Sequence, residues 1–98
     1  MWCAGRVNKM ETLNATITSA FLGFGEREWC WILSFDLVNG YCQCFSSNLY
    51  ESRHLIKIMQ CAGVESWSDL KGQSVRVVRK NDMIIGIGHV VKDFWFYL

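Results

Sequence analysis

The sequence predicts an α+β domain, an antiparallel sheet of four to five strands with one main helix packed on one face. Three observations carry that expectation. Residues 29–38, "WCWILSFDLV", alternate between apolar and mixed positions as a half-buried strand does. Asn39-Gly40 and Asn81-Asp82 interrupt strand-like runs where hairpins turn. Only residues 49–62, "LYESRHLIKIMQCA", place their apolar residues at helical spacing.

Each element follows from its own residues. "NATITSAFL", 14–22, is rich in β-branched and aromatic residues and ends at Gly23 and Gly25, so it reads as a strand, with a charged turn at 26–28. In the next strand Trp29, Trp31, Leu33, Phe35 and Leu37 share one face, and Cys30, Ser34 and Asp36 share the other. A two-residue type I′ turn at Asn39-Gly40 pairs Val38 with Tyr41. Leu37 then faces Cys42, Phe35 faces Cys44, Asp36 faces Gln43 and Ser34 faces Phe45. On that register the two cysteines point to the core, while Gln43 and Phe45 join Asp36 and Ser34 on an outer, mixed face.

The helix is expected to start at Asn48 as N-cap, with Glu51 completing a capping box. Leu55, Ile58, Met59 and Ala62 form its apolar stripe, and Gly63 stops it. Residues 65–72 repeat this in miniature, from Ser66 through Asp69 to Gly72. A second hairpin joins 73–80 to 83–91 across Asn81-Asp82. In it Gly86 and Gly88 face Val77 and Val75, leaving space for a helix, with Arg76, Ile87 and His89 on the opposite side. The aromatic ending "KDFWFYL" packs or pairs against the rest. The 98 residues suit one domain at 11–98, with 1–10 as a loose tail because Met10 is an alternative start.

Composition narrows function. A formal charge of +1 argues against a dedicated nucleic-acid module. The longest nearly apolar run, 83–91, is too short to span a bilayer, and the start has no hydrophobic signal core. Five cysteines, an odd number, fit reduced thiols in a cytoplasmic protein. Cys42 and Cys44 form a C-x-C pair, but zinc needs four ligands and no second pair stands at knuckle spacing. Core-facing cysteines behave as small hydrophobes, so no metal or cofactor is expected. No nucleophile elbow, paired carboxylates or Walker loop is present, and "GIGHVV" lacks a dinucleotide fingerprint, so no catalytic residue is assigned. His54 and His89 read as packed or surface histidines. Arg76, Arg79 and Lys80 form a small basic group in which Arg76 and Arg79 fall on opposite faces.

Trp29, Trp31, Phe45, Trp67, Phe94, Trp95, Phe96 and Tyr97 are many aromatics for so small a core. Those left at the surface form an interface between copies or stack on a flat ligand whose phosphates meet arginine.

Three segments carry a resemblance. "FLGFGERE" followed by "WILSFDL", then "GVESWSDLKGQSVRV" (63–77), then "IGHVVKDFWF" (87–96) occur in the order found in a group of small phage proteins. In that sense the chain resembles the Thoeris anti-defence family, whose members sequester cyclic ADP-ribose-type immune signals without cleaving them. The matched segments are spread over residues 14–96. The resemblance implies a non-enzymatic phage counter-defence protein, acting in the host bacterial cytoplasm as a homo-oligomer with pockets where subunits meet. It implies aromatic rings on adenine and arginine on pyrophosphate. Matching positions are Arg76, His89, Lys92, Asp93 and Trp95. To them the outer face of the first hairpin adds Phe45 as a stacking platform, with Gln43 and Asp36 beside it. The chain departs from the group at "YCQCFSS", which is not glycine-rich and runs almost directly into the helix. The alternative expectation is a protein-binding inhibitor of a bacterial immune effector, anti-CRISPR-like, with exposed aromatics as anchors.

Overall fold

The computed structural model describes residues 10–25, 28–48 and 52–97. Six strands form one sheet: β1 (Met10–Gly25), β2 (Glu28–Leu37), β3 (Cys42–Asn48), β4 (Ser74–Lys80), β5 (Met83–Gly88) and β6 (Trp95–Tyr97). One short helix, α1 (Ser52–Ala62), and a 3-10 turn at Trp67–Asp69 lie between β3 and β4. The strand order is β3-β2-β1-β4-β5-β6, and every neighbouring pair is antiparallel. This corrects the expected sheet of four to five strands under a main helix. The architecture is a curled antiparallel half-barrel with one short helix.

The curl starts in β1, which is 16 residues long rather than the nine expected at 14–22. Its first half pairs with β4 and its second half with β2, so one strand is the spine of both halves. Between Ile17 and Ser19 the register with β2 slips by one residue. Such a bulge bends and twists the strand that carries it. Met10, placed in the loose tail from sequence, belongs to β1; residues 1–9 lie outside the described residues.

The concave side holds the core. Ile17, Trp31, Leu33, Phe35, Val75, Val77 and Ile87 are fully buried there. Large side chains of this kind stabilise by about 1.5–3 kcal/mol each when removed from water. Phe45 on edge strand β3 and Phe96 on edge strand β6 meet edge to face at 6.3 Å, because the curl brings the two ends of the sheet together. Helix α1 lies across the same side and buries Ile58, Cys61 and Ala62, with Leu55 and Met59 half-buried beside them. It ends as expected at Gly63 (φ 74), where Val64 N donates to Met59 O and Gly63 N to Gln60 O in a Schellman closure. The proposed cap at Asn48 and Glu51 falls outside the described residues: β3 runs to Asn48, and the described helix starts at Ser52.

Both hairpins turn where expected, and both registers differ from expectation. At the first turn only Gly40 has positive φ (92), and Gly40 N donates to Leu37 O. The loop therefore has three residues, a tight turn followed by a left-handed glycine, and Leu37 pairs with Tyr41. Asp36 faces Cys42, Phe35 faces Gln43, Ser34 faces Cys44 and Leu33 faces Phe45. A one-residue slip exchanges the two faces of a strand. Cys42 and Cys44 are thus exposed on the outer face, whereas Phe45 is buried at 3% exposure.

At the second turn Asn81 (φ 53) and Asp82 (φ 68) both adopt the positive φ of a type I′ turn. A register shift then falls between Val78 and Arg79, so Gly86 faces Val78 and Gly88 faces Arg76. Ile87 pairs with Val77 inside the core, not on the outer side. No helix packs on the glycines. The rings of Tyr97 and Trp95 from β6 lie over Gly86 and Gly88 instead.

Candidate ligand-binding site

The short strand β6 presents its side chains alternately. Phe96 points into the core, while Trp95 and Tyr97 lie on the outer face, 6.4 Å apart with ring planes 24° from parallel. Both rings lie low against the sheet because the residues beneath them have no Cβ. The Arg76 guanidinium sits 4.4 Å from the Trp95 ring centroid. It donates from Nε to His89 O (2.7 Å) and from Nη2 to Lys92 O (2.8 Å), gathering the loop 89–94 around itself. Trp95 Nε1 donates to Asp93 Oδ1 at 2.7 Å. His89 Nδ1 accepts the backbone N–H groups of Val91 and Lys92, each at 3.1 Å, which leaves the ring proton of the neutral imidazole on Nε2.

Arg76, His89, Lys92, Asp93 and Trp95 are therefore brought together. They are bonded chiefly to one another, so Arg76 has already committed two donors to carbonyls. The cluster works first as a clamp that fixes Trp95. Three other candidates stand elsewhere. Phe45 is a core residue, 5.2 Å edge to face from Trp31, and offers no exposed platform. Asp36 is on the outer face of β2, where it accepts a hydrogen bond from Cys42 Sγ at 3.1 Å. Gln43 points to the inner face at the rim of the half-barrel and donates from Nε2 to Asp82 O at 2.7 Å. The loss of Phe45, Gln43 and Asp36 as one surface follows from the three-residue turn.

Trp95 also borders a groove that the sequence reading did not find. Arg53, His54 and Lys57 of α1 form one wall, and Trp95, Phe96 and Tyr97 of β6 form the other, around a volume of about 480 Å³. Arg53 and Lys57 stand four apart on one helix face, a signal visible in the sequence. The opposing β6 wall is not. His54 lies 5.2 Å from Phe96, tilted by 50°, and its Nδ1 is buried without a hydrogen-bond partner. No carboxylate is among the groove's described lining residues. The groove thus sets cationic side chains of α1 beside edge strand β6, a charge suited to a ligand that carries negative groups.

Other chemistry has little support. Asp36, through its hydrogen bond and its charge, pushes the Cys42 thiol above its ordinary value. Burial pushes Cys61 up to about 11. Both thiols are held protonated, which is unlike an activated nucleophile. Among the described residues no three His, Cys, Asp or Glu side chains gather as a metal ion would require. Among those residues, too, no helix is long and apolar enough to cross a membrane.

The fold and groove define a small curled half-barrel with a cationic cleft between α1 and edge strand β6. In comparisons with known proteins, no family model, curated protein or solved structure matches the chain.

Proposed function

We propose that the protein binds a small phosphorylated nucleotide in the α1–β6 groove and holds it without reaction. The observation that carries this reading is that Arg53, His54 and Lys57 line one groove with Trp95, Phe96 and Tyr97, and that no carboxylate is among its described lining residues. Guanidinium and ammonium groups suit phosphate oxygens, and the rings suit a base. A cyclic ADP-ribose-type immune signal has both parts. On this reading the protein is a phage-encoded counter-defence sponge that works as a homo-oligomer in the host bacterial cytoplasm, as the resemblance implies. Sequestration needs only tight binding and no catalytic residue.

The test is thermal denaturation with a panel of cyclic ADP-ribose isomers and cyclic oligonucleotides, because a ligand that binds only the native state raises the melting temperature. The expected result is a dose-dependent rise with one member, lost in Lys57→Glu, and recovery of that ligand intact after heating. No rise with any member sinks the proposal. A second reading, a protein-binding inhibitor of an immune effector, draws on Phe21 and Ile32, which are cross-strand partners exposed on one face of the β1–β2 ribbon. Capture of a single host effector, abolished by Phe21→Ser, would favour it.

A further inference from the structure

At the rim of the half-barrel a second cleft, about 340 Å³, is lined by Tyr41, Cys42, Gln43, Arg79 and Asp82. It shares no lining residue with the α1–β6 groove. Arg79 faces Glu11 across the β1–β4 ladder, and its Nη2 lies 2.9 Å from both Glu11 Oε1 and Asp82 Oδ1. The residue is only 6% exposed, yet its Nε–H is buried with no acceptor. Gln43 reaches the same rim from β3. Its bond from Nε2 to Asp82 O fixes which end of the amide is which, and Oε1 is buried with no donor.

One orphan donor and one orphan acceptor thus belong to residues of a single cleft without satisfying each other. Buried polar groups are seldom left so, and an ordered water, an ion or a bound molecule can each account for an exception. That partner must accept from Arg79 Nε–H and donate to Gln43 Oε1. Charge narrows it further. Glu11 and Asp82 outweigh Arg79, which disfavours a phosphate or a carboxylate. The cleft is also roomy compared with the roughly 30 Å³ that one water occupies in the liquid.

We infer that the rim cleft binds a neutral molecule through an amide-type edge, an adjacent C=O and N–H such as a lactam or a pyrimidine base presents. This site does not depend on the reading of the α1–β6 groove. Tyr41, 64% exposed, also lines the cleft.

The experiment is a titration of the full-length ¹⁵N-labelled protein with uracil, followed at Arg79 Nε–H and the Gln43 side-chain amide. 1,3-Dimethyluracil, similar in shape but without N–H, is the control. The expected result is saturable perturbation of both groups by uracil and none by the control, unaffected by added phosphate. Gln43→Leu should weaken uracil binding about tenfold, in keeping with a lost hydrogen bond. Tyr41→Ala, which alters only an exposed wall, should weaken it too. No saturable response to uracil overturns the inference, as does an equal response to dimethyluracil. A long-lived water at Arg79 Nε–H that uracil fails to displace overturns it in favour of a resident water.

Discussion

Replacing Gly88 with alanine tests how β6 and its clamp are held. Gly88 lies outside the left-handed backbone region, so alanine can adopt its conformation. The obstacle is the neighbour: a Cβ there would overlap the Trp95 ring, with Cδ2 only 2.7 Å away. Trp95 must swing aside. It then loses the Arg76 cation–π contact, worth about 0.5–1 kcal/mol, and the bond to Asp93, worth about 0.5–1.5 kcal/mol. Against this, alanine restricts the unfolded chain and returns about 0.4–1 kcal/mol. Adding the lost packing of the ring, the net cost is about 1–2 kcal/mol, within the range for overpacked sites. Urea unfolding reads it as a midpoint lowered by about 0.3–2 M, since the slope for a small domain is about 1–3 kcal/mol/M.

The decisive measurement is the double-mutant cycle. In a Trp95→Ala background no ring remains to clash, and Gly88→Ala should be neutral or stabilising. A cost that persists there refutes the reasoning. Gly86 supplies an internal contrast. Its Cβ would meet the Tyr97 ring at 2.5 Å and also the backbone oxygen of Phe96 at 2.9 Å. Gly86→Ala should therefore stay costly in a Tyr97→Ala background, because a carbonyl in the β5–β6 ladder cannot swing away.

Three further outcomes are expected. Phe45→Ala should destabilise by about 3–5 kcal/mol in urea unfolding, as a buried phenylalanine does, whereas an exposed stacking residue would leave stability nearly unchanged. Cys42 and Cys44 should label with maleimide in the native protein and Cys61 only on unfolding; Asp36→Asn removes the cause that raises Cys42 and should speed its alkylation at a fixed neutral pH. Burial raises Cys61 from the ordinary thiol value of 9.0 to about 11, so between those values the unfolded chain gives up the proton first and stability falls as pH rises; Cys61→Ala should remove that part of the slope in unfolding midpoints measured across the range.

Much of the fold was legible in local chemistry. The helical stripe Leu55, Ile58, Met59 and Ala62 and the stop at Gly63 stand where their spacing places them, because both depend on neighbours within one turn. The two turns are also where Asn-Gly and Asn-Asp stand. What local chemistry left open is how many residues each turn spends and where a ladder slips. Both dipeptides allow positive φ, but only the second uses it at both residues, and that difference decides whether cysteines or Phe45 face the core. The slip at Val78 falls beside its partner Gly86, but a lone glycine does not say that the ladder slips there, and the slip sends Gly86 and Gly88 outward and Ile87 inward. The glycines then make sense as beds for rings from β6, a strand of three residues too short to show periodicity.

The site follows the same logic. Arg76, His89, Lys92, Asp93 and Trp95 lie close in the fold because two of them flank one strand pair and the rest share one loop. Their closeness is spent largely on holding the loop. The proposed groove arises between elements distant in sequence: helix α1 places Arg53 and Lys57 four apart, and the curl of the sheet carries β6 to them. That curl begins at the β1 bulge near Ile17, so the proposed groove depends on an irregularity far before Arg53 in the chain. A change that straightens β1 should widen the groove while leaving each of its side chains in place, and binding should be lost without loss of any contact residue.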